Sequence, residues 1–321
     1  MCIRDSKHYW LLPHTCSLLD VLFDGYAKEA KDDWERGMCE ACRILSAWYC
    51  ERYDEAARLF KALPVGIPVW PFSLLPDSTE ADLEVMALAG PGGARLRRAY
   101  ALHKKGRLAE SLAILEEVLR EPGLESQRQA IIRAKAATVR AEETFATGKW
   151  TPLLTSNASL DLWRPGRGEM SQEEGGAVNV TMRGFAPSFN CRAHFGNRIE
   201  IRGELEFVSA PSSADAGLCI YLTQAPTLET HRKMVVIYPN PGRIGAYGRS
   251  REFQKASARA EVKSKNTFQI QLWDQVLNFY WNGRLVLKGV ELDWYTLPPV
   301  PTIGFGITEE GVGLVFKARS W

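Results

Sequence analysis

The chain has 321 residues, which is enough for two domains of ordinary size. Its 45% hydrophobic and 24% charged residues are typical of a globular protein, and its formal net charge of +2 argues against a dedicated nucleic-acid-binding protein. No run approaches the length of about 18 apolar residues that a membrane span needs. We therefore expect no nucleic-acid partner and no membrane span in this chain.

Residues 1–17 are predicted to be an unstructured or artefactual start. The first six residues, MCIRDS, lack the charged-then-apolar run of a signal peptide. They resemble an adapter-derived peptide found at the front of assembled reading frames. The sequence is therefore expected to be a C-terminal fragment of a longer protein, and its cellular compartment is left unassigned.

The cysteines are concentrated near the start of the chain, where five of the seven fall within the first fifty residues. An odd total, with three cysteines in one helical segment, predicts reduced thiols and no disulfide framework. Cys39, Cys42 and Cys50 share a helical face, but no fourth ligand stands at a metal-binding spacing. They are predicted to be small buried thiols, and the sequence indicates no metal site and no cofactor.

Residues 18–148 show helical spacing of apolar side chains. A proline-rich stretch, Pro64–Pro76, and Gly90–Gly93 interrupt this pattern. The clearest helices flank Gly106, which is predicted to end one helix before a second runs to Pro122. The apolar positions that line the second helix are Leu108, Leu112, Leu115, Val118 and Leu119.

The helix pair around Gly106 resembles a tetratricopeptide repeat. Arg95 replaces the usual tryptophan, and a similar half-repeat lies 55 residues earlier, where the regular period is about 34 residues. The repeats are therefore predicted to be degenerate. The resemblance implies stacked helix pairs whose concave groove binds a protein partner. The positions that carry it are Ala99, Gly106, Ser111, Leu115, Val118 and Pro122.

From residue 149 onward, the apolar period changes from 3.6 to 2, which predicts short strands separated by turns. The clearest stretch is Lys265–Gly289, which reads as two successive β-hairpins around Asp274-Gln275 and Asn282-Gly283. If each turn has two residues, one face of these strands is apolar and buried. The predicted buried residues are Phe268, Ile270, Leu272, Leu277, Phe279 and Trp281.

The opposite face of the same hairpins is predicted to be polar. Amides beside aromatic rings suit a polar, ring-shaped ligand, since a ring stacks on the sugar face and amides bond its hydroxyls. The alternative is an ordinary sheet face whose aromatics pack under a loop. The candidate ligand-binding residues are Gln269, Gln271, Trp273, Asn278 and Tyr280.

Several segments of the second half occur in a familiar order. They read WTPLLTSNASLDLW, RIEIRGELEF, GLCIYL, NTFQIQLWDQVLNFYWNGRLV, PTIGFGI and VGLVFKARSW. Together they resemble the concanavalin A-like lectin/glucanase sandwich, particularly its laminin G-like and 3-keto-disaccharide hydrolase-like groups. The resemblance implies an antiparallel jelly-roll β-sandwich over residues 149–321. The fold class is therefore α + β, multidomain, with a tetratricopeptide-like helical region followed by the sandwich.

Glu200, Glu204 and Glu206 alternate along one predicted strand and so point to one face. Glucanases of this fold carry their catalytic carboxylates at such positions, and retaining chemistry needs two carboxyl groups about 5 Å apart. Arg202 lies between these glutamates, where the family places an acid, and it favours an ion-paired outer face. The three glutamates are therefore only weak catalytic candidates.

Three functions remain open from the sequence. The favoured one is a non-catalytic binding protein, whose helical region docks a protein and whose sandwich binds carbohydrate or protein on its polar face. The second is a glycoside hydrolase of the 3-keto-disaccharide hydrolase-like type. The third is a structural or regulatory module of a larger signalling or surface protein, with no ligand of its own.

Overall fold

The structure is a computed structural model, and the chain forms two compact units, residues 1–133 and 134–321. The proline-rich stretch Pro64–Pro76, which was predicted to interrupt the helical pattern, lies outside the described residues. The same is true of most of Gly90–Gly93. The described residues are 13–62, 88, 93–154, 160–165, 168–172, 178–182, 189–196, 198–209, 217–222, 234–240, 242–247, 254–273, 276–292, 303–307 and 314–320.

The first part of the chain is helical, as its apolar spacing predicts. Helix α1 begins at Pro13, so residues 13–17 of the segment predicted to be unstructured are helical. Residues 1–12 lie outside the described residues. The helices are α1 (Pro13–Glu29), α2 (Asp33–Tyr49), α3 (Tyr53–Ala62), α4 (Gly93–Lys104), α5 (Leu108–Leu119) and α6 (Ser126–Ala146).

A disulfide joins Cys16 to Cys50, with 6.2 Å between their Cα atoms. The prediction of reduced thiols is wrong for this pair. Cys16 lies in the first turn of α1 and Cys50 directly follows α2. Only three residues link these helices, so the start of one returns beside the end of the other. Cys39 and Cys42 keep their thiols and are half-buried.

Helices α4 and α5 form a close pair around Gly106, whose φ of 72° is the left-handed conformation that suits a helix end. The Ser111 hydroxyl donates a hydrogen bond to the Ala99 carbonyl at 2.7 Å, and both residues are fully buried. Small residues at these positions let the helices approach closely. The tetratricopeptide repeat itself stays a prediction.

The second unit is an antiparallel β-sandwich, which confirms that part of the predicted fold. Its described strands form two seven-stranded sheets, ordered β1-β4-β13-β6-β7-β8-β9 and β12-β11-β10-β5-β14-β3-β2. In chain order the strands are β1 (Trp163–Pro165), β2 (Gly168–Gln172), β3 (Val178–Met182), β4 (Phe189–Cys191), β5 (Arg198–Ser209), β6 (Leu218–Tyr221), β7 (Met234–Tyr238), β8 (Arg243–Tyr247), β9 (Gln254–Arg259), β10 (Lys265–Trp273), β11 (Val276–Trp281), β12 (Arg284–Glu291), β13 (Gly304–Ile307) and β14 (Leu314–Ser320).

The two predicted hairpins are confirmed. Strands β10 and β11 pair antiparallel from Phe268 opposite Trp281 to Trp273 opposite Val276. The next turn has positive φ at both central residues, 49° at Asn282 and 76° at Gly283, as a tight hairpin turn requires. The predicted apolar face is buried throughout: its members Phe268, Ile270, Leu272, Leu277, Phe279 and Trp281 are at most 6% exposed.

The core lies between the two sheets. Ile270 and Phe279 of one sheet are fully buried in the same cluster as Ile220 and Ile237 of the other. Burial of such side chains contributes roughly 1.5–3 kcal/mol each to folding. Because one face of β5, β10 and β11 is committed to this core, their alternate side chains must point outward.

Candidate ligand-binding face

The outward side chains of three neighbouring strands form one surface, which we call the polar face. Strand β10 lies between β5 and β11, so the register of its two ladders places residues side by side. The predicted acids and the predicted ligand-binding residues therefore share a face. Its members are Arg198, Glu200, Arg202, Glu204 and Glu206 on β5, Gln269, Gln271 and Trp273 on β10, and Asn278 and Tyr280 on β11.

The five predicted ligand-binding residues are adjacent on this face. Gln269 lies opposite Tyr280, and Gln271 lies opposite Asn278. Side chains directly opposite each other have Cβ atoms about 5 Å apart. Trp273 is 53% exposed at the end of β10, while the other four are half-buried. The result is an exposed indole beside a row of amides and a phenol.

Two of the amides are held by hydrogen bonds. Gln269 Nε2 donates to Glu200 Oε1 at 2.5 Å, across the β5–β10 ladder. Asn278 Oδ1 accepts from the Gly289 backbone N–H at 2.8 Å. These bonds fix the side-chain orientations, so a ligand would meet preorganised polar groups.

The three predicted acids have different neighbours. Glu200 Oε1 also accepts from Arg202, at 2.7 Å from Nε and 2.5 Å from Nη2. Glu206 lies 3.9 Å from the Lys265 ammonium, and Glu204 lies opposite Thr267. Glu200 therefore accepts hydrogen bonds from two side chains, Arg202 and Gln269, and these contacts hold the three groups together on the face.

A pocket of about 440 Å³ opens beside Arg202, within the second unit. Its volume lies in the range of small-molecule sites. Its walls combine the buried side chains of Leu153 and Phe195 with charged groups of β5. The lining residues are Phe145, Gly148, Lys149, Trp150, Thr151, Leu153, Phe195, Arg198, Ile199, Glu200, Ile201, Arg202 and Ile303.

One wall of this pocket is the segment that follows helix α6, residues 148–153. Gly148 has a φ of 73° and donates to the Phe145 carbonyl, while Lys149 donates to Thr144. This pair of bonds is a Schellman helix end. The Thr151 hydroxyl then donates to the Ala141 carbonyl at 3.2 Å. The helix end thus fixes where the segment runs.

Trp150 is the aromatic residue of this segment. The guanidinium carbon of Arg202 lies 4.9 Å from the centroid of the Trp150 ring, which is a cation–π contact. Arg202 is therefore held by Glu200 through hydrogen bonds and by Trp150 through its ring. Trp150 remains 49% exposed, so its ring supports Arg202 and is still open to solvent.

Sequence reasoning did not single out Lys149, Trp150 and Arg198, which line this pocket. In the sequence, Lys149 and Trp150 stand where the apolar period changes from helical to strand spacing, and Arg198 stands at the start of a predicted strand. Neither position carries a pattern that indicates a site. Their proximity depends on how α6 ends beside β5, which no local pattern shows. The available signal was a tryptophan, Trp150, two residues after the helix-ending Gly148.

Other candidates for chemistry do not form a site. Cys191 is buried, and burial raises the pKa of its thiol to about 12, while His194 is exposed. Within the described ranges, no group of three or more metal-ligating side chains is placed to hold an ion. In the same ranges no helix is long and apolar enough to cross a membrane.

No protein-family model and no curated protein matches this chain. Solved structures that resemble it include a Bacillus subtilis protein of unknown function with a galectin-like fold. It is 15% identical with a TM-score of 0.41, and the match covers 52% of this chain and 91% of that one. The potassium-bound carbohydrate recognition domain of Emp46p is 13% identical, with a TM-score of 0.39 and coverages of 53% and 94%.

The carbohydrate-binding module CBM66 from Bacillus subtilis is a third similar structure. It is 11% identical with a TM-score of 0.36, and the match covers 50% of this chain and 96% of that one. Because these TM-scores lie below 0.5, the function proposed next rests on the contacts of this chain alone.

Proposed function

We propose that this chain is a non-catalytic binding protein whose sandwich binds carbohydrate on the polar face. The observation that carries the proposal is the exposed indole of Trp273 beside the amides of Gln269 and Gln271 on one strand. Sugar recognition needs an aromatic plane for the ring's C–H face and fixed amides for its hydroxyls. The polar face supplies both on adjacent residues.

Tyr280 and Asn278 extend the same surface onto the next strand. Because Tyr280 lies opposite Gln269 and Asn278 lies opposite Gln271, the amides and the phenol form a compact patch. Strands that are hydrogen-bonded on both sides hold such a patch more rigidly than a loop does. This rigidity favours binding, since little ordering is needed when the ligand arrives.

Binding is favoured over glycoside hydrolysis by the surroundings of Glu200. That carboxylate accepts hydrogen bonds from Arg202 and Gln269, so its role on this face is to orient their side chains. The polar face is therefore better suited to hold a sugar than to cleave one.

The docking of a protein partner by the helical region stays a prediction. The support for it is the close α4–α5 pair, in which Ser111 donates a hydrogen bond to Ala99, and Leu96 and Leu115 are buried. Such pairs stack into concave surfaces in helical repeat proteins.

The sugar-binding proposal is tested by a glycan array probed with the full chain and with Trp273→Ala. We expect binding to at least one class of glycan and a loss of about tenfold or more in the variant, as for a central aromatic contact. Tyr26→Ala is the matched control, because Tyr26 is 52% exposed on helix α1, outside the sandwich. Unchanged binding by a folded Trp273→Ala protein would refute the proposed platform.

A further inference from the structure

Two tryptophan side chains stay exposed on or beside the polar face. Trp273, at the end of β10, is 53% exposed, and Trp150, in the segment after α6, is 49% exposed. Both belong to the second unit, and no other tryptophan side chain that the structure describes is exposed. Because aromatic side chains gain from burial, two indoles left in solvent at one face indicate a surface that a ligand covers.

The strand register places the two indoles at different points along β5. Trp273 lies opposite Arg198, whereas Trp150 contacts the guanidinium of Arg202, four positions farther along the strand. The Arg202 side chain turns back toward its hydrogen-bond partner Glu200, so the offset between the two rings corresponds to two to four residues. At about 3.3 Å per residue, this offset is roughly 7–13 Å. It exceeds one pyranose ring, so the two indoles face different units of a sugar chain.

Polar side chains occupy the interval between the two rings. Gln271 lies opposite Glu200, and Gln269 lies opposite Arg202. The Glu200 carboxylate accepts hydrogen bonds from both Arg202 and Gln269, so these three side chains hold one another in place. Sugar hydroxyls need donors and acceptors at fixed positions. A sugar chain that lies on both indoles therefore passes over preorganised hydrogen-bonding groups.

The Trp150 ring has a fixed position and open space beside it. The Schellman end of α6 sets the path of its segment, and the Arg202 guanidinium carbon lies 4.9 Å from the ring centroid. The pocket of about 440 Å³ is lined by Trp150 together with Glu200 and Arg202. A rigid aromatic plane beside open volume suits ring stacking, because little of the protein has to be ordered when the ligand binds.

We propose that Trp150 forms a second sugar subsite and that the ligand is an extended β-1,4-linked glycan, bound at units within its chain. The inference rests on the proposed carbohydrate function and specifies its ligand class. One sugar unit stacks on Trp273, a later unit stacks on Trp150, and the units between them meet Gln271 and Glu200. Because the two subsites are offset along neighbouring extended strands, a chain with equatorial β-1,4 linkages, which is itself extended, follows them better than a coiled chain does.

The test is isothermal titration calorimetry of the full chain with the β-1,4-linked gluco-, xylo- and manno-oligosaccharides, each from the monosaccharide to the hexasaccharide. In at least one series, we expect the affinity to rise with length and to level off once both indoles are covered. Trp150→Ala should then lower the affinity for the hexasaccharide about threefold to tenfold, as one aromatic contact contributes. It should leave the affinity for the shortest member that binds unchanged, whereas Trp273→Ala should weaken every length.

The comparison of short and long ligands separates a subsite from a mere support for Arg202. If Trp150 only held Arg202 in place, its loss would disturb Glu200 and weaken short and long ligands equally. Trp150→Phe keeps an aromatic plane and should retain part of the gain with length, whereas Trp150→Met keeps apolar bulk and should lose it, even if the alanine variant does not fold. Leu285→Ala is the matched control and should leave the gain unchanged, because Leu285 is 41% exposed on the same sheet but lies on β12, away from β5.

Three outcomes would overturn the inference. The first is a hexasaccharide that binds no more tightly than the shortest binding member of its series, which leaves the sugar-binding function intact. The second is a gain with length that survives in folded Trp150→Ala or Trp150→Met protein. The third is no binding in any of the three series. In that third case a glycan bound on the array would still uphold the sugar-binding function, whereas an array without binding would refute both.

Discussion

The carboxylate of Glu200 accepts a hydrogen bond of 2.5 Å from the side-chain amide of Gln269, which is 69 residues away along the chain. This contact joins the predicted acid cluster to the predicted amide row. Both belong to one face of one sheet, because β5 and β10 are direct neighbours. The relevant surface is therefore larger than either sequence pattern.

The first prediction concerns catalysis. Since Glu200 is surrounded by hydrogen-bond donors and Glu206 faces Lys265, we expect the full chain to release no reducing sugar above background from polymeric glycans. Glu204→Gln and Glu206→Gln should behave like the unaltered chain in the same assay. Sugar release that either substitution abolishes would instead establish a glycoside hydrolase.

The second prediction compares two neighbours on β11. Phe279 is fully buried in the core, so Phe279→Ala should lower the free energy of unfolding by about 3–5 kcal/mol. Tyr280 is half-buried on the polar face, so Tyr280→Ala should destabilise the sandwich less while weakening sugar binding. Urea denaturation followed by tryptophan fluorescence measures the first effect, and calorimetry measures the second. Equal destabilisation by the two substitutions would contradict the assignment of the two faces.

The third prediction concerns the Cys16–Cys50 disulfide. The bridge closes a sequence separation of 34 residues, so removing it with Cys50→Ser should destabilise the first unit by about 2–4 kcal/mol. Limited proteolysis should then cut near α1 sooner than in the unaltered protein. Cys42→Ser is the control, because Cys42 lies outside the bridge. If Cys16 and Cys50 are alkylated in protein that has not been treated with a reductant, the bridge is absent.

The fourth prediction concerns alkaline pH. Burial raises the pKa of Cys191 from its ordinary value of 9.0 to about 12, since the interior disfavours the thiolate. The neutral thiol's contribution to stability is therefore complete below about pH 9 and is lost as the pH rises toward 12. Urea midpoints across this range should fall more steeply for the unaltered protein than for Cys191→Ala. Parallel curves would mean that Cys191 does not titrate in this way.

The local patterns of the sequence determined much of the fold. The alternation in β10 and β11, with Asn282-Gly283 between β11 and β12, was enough to predict the hairpins and their buried face, since side-chain period and turn chemistry are local properties. The helix pair around Gly106 was visible for the same reason. The strand predicted to carry Glu200, Glu204 and Glu206 is present as β5, Arg198–Ser209.

Only the tertiary structure decided which distant residues meet. Cys16 and Cys50 are bridged because two helices of equal length return on each other, which spacing within one helix does not reveal. Trp150 reaches Arg202 because the Schellman end of α6 directs the next residues past β5. The sequence by itself determined strands β10 and β11, the Asn282-Gly283 turn and which side chains of these strands point away from the core. The order of the strands and the path after Gly148 created the pocket beside Arg202, because contacts between distant segments depend on packing and not on periodicity.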